Sequence, residues 1–141
     1  MRSGILGVVS ENLDLVRSIL SDWERGDFRS VAWAHPDIEY VLIGGPEPGK
    51  WDGLAAMTAS VRDYMSAWEH YGISVEELRE LDRDRVLALV RLSGRGKASG
   101  VDLADAGGTG AEVWHVHDGV VTRLHMYWNR SRAFADLGLE E

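Results

Sequence analysis

The first half of the chain carries apolar residues at helical spacing. One stripe recurs at steps of three and four residues, at Leu13, Val16, Leu20 and Trp23. It predicts a helix that Ser10 caps and that Gly26 ends in a left-handed conformation. A second stripe follows Asp52-Gly53 and predicts another helix, whose apolar side carries Leu54, Met57, Val61, Tyr64, Met65 and Trp68.

The residues between these two stripes predict shorter elements. Residues 28–34 are expected to form a short helix that Asp27 caps and that ends before Pro36. The β-rich run 38–43 predicts a strand. Residues 44–49 are rich in Gly and Pro, and they predict a loop because neither helix nor strand tolerates that composition.

After Gly72 the pattern changes from helical to strand-like. The predicted strands are 75–81, 85–99, 111–116 and 120–128, followed by a short helix through Leu137. Gly94 and Gly96 lie inside a strand, which indicates a bulge or a strong bend. Helices followed by an antiparallel meander define the α+β class. We therefore expect helices on one face of a curved sheet, with a pocket between the two layers.

The turn near Asp118-Gly119 decides which side chains face that pocket. A two-residue turn pairs His117 with Val120, whereas a three-residue loop with a left-handed Gly119 pairs Val116 with Val120. We expect the second arrangement. It places one mostly apolar set toward the pocket: Glu112, Trp114, Val116, Val120, Thr122, Leu124, Met126 and Trp128. The opposite, outer face then carries Val113, His115, Val121, Arg123, His125 and Tyr127.

Composition narrows the class of protein. With 141 residues, 45% apolar and 27% charged, the chain is expected to form one domain over 1–141, with an ordered core of about 10–139. A net charge of −8 with scattered basic residues argues against nucleic acid. Residues 1–9 are too short for a membrane span and make a poor signal peptide, so we interpret them as a loose lead-in. The lack of cysteine favours a reducing compartment, and the cytoplasm is the expected location.

Several short stretches are familiar when taken together. They are Trp23-Glu24-Arg25-Gly26-Asp27-Phe28, His35-Pro36-Asp37-Ile38-Glu39-Tyr40, Asp84-Arg85-Val86, Gly94-Arg95-Gly96-Lys97-Ala98-Ser99-Gly100, Val113-Trp114, Asp118-Gly119-Val120-Val121 and Tyr127-Trp128-Asn129-Arg130. In this order and spacing, over about residues 10–139, they resemble the SnoaL-like family of the nuclear transport factor 2-like superfamily. The resemblance implies a cone-shaped, mostly antiparallel sheet wrapped over N-terminal helices, often in a homodimer. The superfamily includes ketosteroid isomerases, epoxide hydrolases, dehydratases, polyketide cyclases and members without catalytic activity.

Two of these chemistries lack their residues in this sequence. Ketosteroid-isomerase-like proteins carry an aspartate base on the first strand, where this chain has Tyr40. A phenol with a pKa of about 10 is a poor base at neutral pH, although it can donate to an oxyanion. Limonene-epoxide-hydrolase-like proteins use an Asp-Arg-Asp set. Arg85 matches its arginine, but Leu87 and Met126 replace its carboxylates.

Glu112 remains as the candidate acid, at the position from which ketosteroid-isomerase-like proteins donate with a protonated carboxyl. Burial beside Trp114 and Trp128 is expected to raise its pKa. The alternative is an ion pair with Lys97 or Arg95 across the sheet, and we favour this interpretation. His115, His117 and His125 lack an Asp or Cys that completes a zinc shell, so we expect no metal. No motif in the sequence indicates another cofactor.

The sequence therefore predicts a protein that binds a hydrophobic or polycyclic small molecule and acts as a cofactor-independent isomerase, cyclase or dehydratase. Tyr40 and Glu112 are the expected catalytic residues. The expected ligand-binding residues are Trp23, Trp68, Trp114, Leu124, Met126 and Trp128, of which Trp23 and Trp68 are expected to be buried. The alternative is a non-catalytic accessory domain. In either case we expect a homodimer through the outer sheet face, whose aromatic, Arg and aliphatic side chains suit an interface.

Overall fold

A computed structural model describes residues 3–45, 48–105 and 107–140, with side chains from residue 11 onward. In these ranges the chain forms three helices and six strands. The helices are α1 (Ser3–Glu24), α2 (Leu54–Ser66) and α3 (Arg130–Leu137). The strands are β1 (Ala34–Ile43), β2 (Gly49–Asp52), β3 (Trp68–Glu80), β4 (Arg85–Gly96), β5 (Thr109–His117) and β6 (Val120–Tyr127).

The six strands form one sheet in the order β2-β1-β6-β5-β4-β3. Neighbouring strands are antiparallel except β1 and β6, which are parallel. The register shifts once between β1 and β6, twice between β3 and β4, and once between β5 and β6. Each extra residue bends its strand and increases the local twist. The predicted α+β class with a curved, mostly antiparallel sheet is confirmed.

The helices α1 and α2 pack on the inner face of the sheet. Val16, Ile19 and Leu20 of α1 and Met57 of α2 are buried against it. The sheet contributes Ile38, Tyr40, Ile73, Val86, Ala88, Val90, Trp114, Val116, Val121 and Leu124 to the same core. The largest of these side chains, Trp114, has no exposed surface. This core fixes the wall on which the candidate site is built.

The helix α3 packs on the outer face, which changes the predicted dimer surface. Its Ala133 and Phe134 form a second core with Leu87, Leu89, Ala111, Val113 and Tyr127. The Asn129 side chain caps α3 by accepting from Arg132 N at 3.0 Å. Val113 and Tyr127 are thus covered within the monomer, and Val121 is fully buried on the inner face. Only His115, Arg123 and His125 of the predicted interface stay on the open part of this face.

The β5–β6 hairpin has the two-residue turn, so the expected three-residue loop is wrong. Asp118 and Gly119 both have positive φ angles, 51° and 79°, and His117 pairs with Val120. A two-residue turn in which both residues have positive φ angles has a backbone twist that matches the right-handed twist of the strands. One extra residue, Thr122, then shifts the register, so that Glu112 pairs with Met126, whereas the expected loop would pair it with Leu124. The predicted face is recovered except that Val121, rather than Val120 and Thr122, lies on it.

The segments around β1 differ from the prediction. Helix α1 already begins at Ser3, so residues 3–9 are helical and Ser10 is not its cap. Glycine lowers helix stability but does not stop a helix that other residues extend. Residues 28–34 form no helix, because Asp27 Oδ1 accepts from Arg29 N at 3.1 Å in a local turn. Strand β2 pairs with β1 and begins at Gly49, a residue that the sequence pattern places in the loop 44–49.

Candidate functional site

A pocket lies between the helices and the inner face of the sheet. Its volume is about 810 Å³, with the open mouth included. Most of its walls are apolar or aromatic, and they come from α1, α2 and strands β1, β3, β4, β5 and β6. Five of the predicted site residues line it, namely Trp23, Tyr40, Glu112, Met126 and Trp128. The structure therefore brings the predicted catalytic pair into one cavity.

Glu112 is the only carboxylate among the described pocket residues, and it is only 2% exposed. It lies on a central strand, paired with Ala88 on one side and with Met126 on the other. The Trp114 indole Nε1 donates to Glu112 Oε1 at 3.1 Å. Burial raises the pKa of Glu112 to about 8, and the indole hydrogen bond opposes only part of this rise. The carboxyl is therefore mostly neutral at pH 7 and can donate a proton.

The favoured ion pair of Glu112 with Lys97 or Arg95 is wrong. Strand β5 begins at Thr109, which pairs with Arg91 on β4. Arg95 and Lys97 lie beyond this last pair, where β4 has no β5 partner, so neither can reach the middle of β5. Within the described ranges, the only hydrogen bond to the Glu112 carboxyl comes from Trp114. The pocket-acid alternative agrees with the structure.

Tyr40 extends from β1 toward the same cavity and is 4% exposed. Its hydroxyl donates to Met126 Sδ at 3.1 Å. Burial, together with the nearby Glu112 carboxylate, raises the pKa of Tyr40 far above its ordinary value. The phenol therefore stays protonated and serves as a donor, not as a base.

Two further tyrosines in the pocket wall were not predicted as site residues. Tyr64 of α2 and Tyr71 of β3 meet edge to face, with ring centroids 5.4 Å apart. Burial raises the pKa of both hydroxyls, and the Glu112 carboxylate adds to the rise. The predicted apolar side of α2 did include Tyr64, which was the available signal. Tyr71 gave none, because the strand was expected to begin at residue 75.

Three predicted ligand-binding residues lie outside the pocket lining. Trp114 packs behind it, with its ring centroid 5.3 Å from that of Trp23, and Leu124 is buried beside Trp114 in the core. The ring centroids of Trp68 and Tyr64 are 6.1 Å apart, and Trp68 does not itself line the cavity. Trp23 and Trp68 are each only half-buried. The alternation of the strands set the right face, but it did not show how deep each ring lies.

Comparison with known proteins gives the fold and no more. No family model and no curated protein matches the sequence. A candidate polyketide cyclase from Xanthomonas campestris pv. campestris matches with a TM-score of 0.66 and 22% identity, over 92% of this chain and 98% of that one. An NTF2-like protein from Burkholderia thailandensis E264 matches with a TM-score of 0.70 and 20% identity, over 90% and 96%. This chain has the NTF2-like fold.

A further match is TerC, which was co-crystallised with polyporic acid. It has a TM-score of 0.66 and 20% identity, over 90% of this chain and 97% of TerC. The fold implied by the resemblance to SnoaL-like proteins is thus confirmed. At these identities the likeness gives no reaction, because one fold supports many functions. The chemistry of this NTF2-like pocket has to be argued from its own residues.

The residues that match the epoxide-hydrolase pattern do not line this NTF2-like pocket. Arg85 Nε donates to Asp82 Oδ2 at 2.8 Å in the β3–β4 turn. Leu87 belongs to the outer core beneath α3. Only Met126 of that set lines the cavity, and it is not a base. The arrangement gives no support for water addition to an epoxide.

The predicted histidines lie away from the pocket, on the outer face. The rings of His115 and His125 are 5.4 Å apart, and His125 Nε2 is 3.2 Å from Glu39 Oε1. In the part of the chain that the structure describes, no group of three or more His, Asp or Glu side chains could hold a metal ion. None of the described helices has the length and apolar character that crossing a membrane requires.

Proposed function

We propose that this protein binds a hydrophobic or polycyclic small molecule in the pocket and catalyses its isomerisation, cyclisation or dehydration without a cofactor. The observation that carries the proposal is Glu112, a carboxyl that is 2% exposed and has no cationic partner among the described residues. Burial of an unpaired carboxyl is costly, and such groups concentrate at functional sites. Its place in the wall of a cavity supports a chemical role.

The proposed role of Glu112 is proton transfer. Its Oε1 accepts from the Trp114 indole, and no hydrogen bond from the described residues reaches Oε2. Oε2 is therefore the oxygen that carries the proton toward a ligand. In an isomerisation, the deprotonated form of Glu112 takes a proton from one carbon of the ligand and returns it to another, so the carboxylate ends as it began. A pKa near the working pH suits both directions of this transfer.

The proposed role of Tyr40 is to donate a hydrogen bond to a ligand oxygen. Its present acceptor is a thioether sulfur, which is a weak acceptor. A carbonyl oxygen that gains negative charge during the reaction is a stronger one. The hydroxyl can therefore exchange Met126 for the ligand at little cost. The apolar walls at Trp23, Met126 and Trp128 support the binding of flat rings.

Names of similar structures support the class of ligand. The Xanthomonas campestris protein is a candidate polyketide cyclase, and TerC was crystallised with polyporic acid.

The test of the proposed proton transfer is solvent-deuterium exchange at the carbon next to the carbonyl in a panel of aromatic ketones and lactones, followed by NMR. We expect exchange with the wild type and at least a 100-fold loss for Glu112→Gln, in the range for loss of a general acid or base. Glu69→Gln, at an exposed glutamate of β3, is the matched control.

The panel also separates the alternative function. Binding of a ketone without exchange, or exchange that survives Glu112→Gln, would support the non-catalytic accessory domain.

We further propose a homodimer through the open part of the outer face, around His115, Arg123 and His125. Light scattering should give twice 15.6 kDa at micromolar concentration, and a mass of 15.6 kDa would refute the dimer. The cysteine-free sequence supports the cytoplasm as its location.

A further inference from the structure

Strand β3 contains a strained residue next to the pocket. His70 has a φ angle of 55°, a left-handed conformation that is unfavourable for a residue with a Cβ atom. Its side chain is exposed, so packing of the imidazole does not explain this conformation. The next residue, Tyr71, lines the pocket, and the proposed function leaves it unused. Because backbone strain concentrates at functional sites, the segment around His70 is a candidate for a role in ligand binding.

The strain at His70 belongs to a β-bulge. Between Glu69 and Gly72, three steps along β3 face only two steps along β4, so β3 carries one extra residue there. Gly94 of β4 lies opposite this segment and has a φ angle of 141°. A Cβ atom at Gly94 would lie 3.2 Å from Tyr71 Cα. The two strands therefore approach closely at the bulge, and both leave the regular strand conformation there.

The bulge places an aromatic ring before it and another after it against α2. In a regular strand, counting back by twos from the inner-face residue Ile73 would point both Tyr71 and Glu69 inward. The extra residue breaks this alternation, so Glu69 is exposed. Trp68 contacts the Tyr64 ring instead, and Tyr71 meets that ring edge to face. Tyr64 is thus packed by two rings, and it forms one wall of the pocket together with Tyr71.

Aromatic rings that are held in place favour flat ligands. Phe28 also lines the pocket, with its ring centroid 6.3 Å from that of Tyr71. A planar aromatic ligand gains ring–ring contacts beyond the apolar area that it buries, whereas a saturated ring of the same size gains the area alone. Rings already packed by their neighbours lose little side-chain entropy on binding. The wall therefore favours planar ligands as long as the bulge keeps Tyr71 in place.

We propose that Tyr71 is a specificity residue that selects planar aromatic ligands over saturated ones, and that His70 positions it through the bulge. His70 itself does not line the pocket, so its action on the ligand is indirect. This inference rests on the proposed function for the pocket as the ligand site. It adds the residue that distinguishes flat from puckered rings and the strained residue that holds it.

The test of Tyr71 compares 2-acetonaphthone with its saturated analogue 2-acetyldecalin by calorimetry at pH 7. The readout is the ratio of the two affinities in each variant. Tyr71→Leu should lower the preference for the flat probe by about 2- to 10-fold, which is the effect of one aromatic contact. Tyr71→Phe keeps the ring and should leave the ratio unchanged.

The test of His70 uses residues that differ in their tolerance of a left-handed conformation. His70→Val is β-branched and should lower the ratio in the same direction as Tyr71→Leu, whereas His70→Gly and His70→Asn tolerate this conformation and should keep the ratio. In the Tyr71→Leu background, His70→Val should have no further effect on the ratio. Gly94→Ala perturbs the bulge from β4 and should also lower the ratio, so the test does not depend on the folding of His70→Val.

Asp118→Val is the matched control, because Asp118 has a φ angle of 51° in the exposed β5–β6 turn and does not line the pocket. It should lower the melting temperature, as His70→Val does, but leave the ratio unchanged; circular dichroism checks that each variant folds. The inference is overturned if the preference survives Tyr71→Leu, if Tyr71→Phe lowers it equally, if the folded bulge variants keep it, or if Asp118→Val also lowers it. Ketone binding with exchange that depends on Glu112 would still preserve the proposed function. If neither probe binds, both fail.

Discussion

Glu112 and Glu39 lie on opposite faces of one sheet and have opposite surroundings. On the outer face, Glu39 accepts from His125 and Arg123 and pairs with Lys50 at 3.2 Å. The His125 hydrogen bond is the main cause that lowers the pKa of Glu39. On the inner face, Glu112 has only an indole donor, and burial raises its pKa to about 8. A glutamate side chain is therefore a structural anion at Glu39 on the outer face and a mostly neutral acid at Glu112 on the inner face.

This difference shows that the strand face, more than the residue type, decides the role. Successive residues of a strand point to opposite faces, so one step along β1 separates Glu39 from the pocket residue Tyr40. Long cationic side chains can surround Glu39 because the outer face is open to solvent there. The inner face is filled by helices and aromatic rings, which leave no room for a cation.

The largest expected effect is a loss of packing on the inner face. Trp114→Ala should lower the free energy of unfolding by about 3–5 kcal/mol, because the ring has no exposed surface and contacts Trp23 and Trp33. Trp68→Ala is the control, since this ring is half-buried outside the inner core, and it should cost about 1 kcal/mol. Urea melts measure both. Equal losses would mean that the two rings are equally buried.

A smaller effect, of opposite sign on the two faces, is expected when each glutamate is replaced by glutamine. Between the ordinary pKa of 4.5 and about 8, folded Glu112 holds a proton that the unfolded chain has released. The stability of the wild type should therefore fall as pH rises, by about 2–3 kcal/mol from pH 5 to pH 7.5. Glu112→Gln carries no such proton, so it should remove the slope and stabilise the protein at pH 7.5.

Glu39→Gln should do the reverse. The lowered pKa of Glu39 contributes stability that is present above about pH 4.5 and is lost as the pH falls through the folded-state value. This variant should be destabilised by about 0.5–1 kcal/mol at pH 7.5, because the ion pairs are partly exposed, and nearly neutral in acid. Urea melts at pH 5 and pH 7.5 measure the Glu112→Gln effect, and a further series at about pH 3 tests the loss of the Glu39→Gln effect in acid. A destabilising Glu112→Gln at pH 7.5 would end the pocket-acid assignment.

Much of this comparison could be predicted from the sequence, and the β5–β6 hairpin shows why. The expected turn was wrong, but the pairing of Glu112 with Met126 left the predicted inner face nearly intact. Apolar alternation is a strong signal because burial of one face selects it. The turn type and the extra residue Thr122 are local details on which alternation gives no information.

The environment of Glu112 was harder to predict. An ion pair with Lys97 or Arg95 depended on how far β4 extends past β5, which only the observed register shows. Tyr71 was missed because β3 begins at Trp68, before the apolar alternation becomes clear. Both failures concern relations between distant segments. Single-sequence patterns report the period of one segment and not its alignment with another.

The smallest expected effect comes from the hydroxyls of two tyrosines on opposite faces. Tyr40→Phe should change the free energy of unfolding by less than about 0.5 kcal/mol, because it removes only a hydrogen bond to the weakly accepting Met126 sulfur. Tyr127→Phe should cost about 1 kcal/mol, since its hydroxyl donates to the Asp136 carboxylate and ties β6 to α3. Parallel urea melts at pH 7 give both values. A loss above about 1 kcal/mol for Tyr40→Phe would show that its hydroxyl already has a strong acceptor in the free protein. Tyr40 would then be a structural group, because binding a ligand oxygen would require breaking that bond.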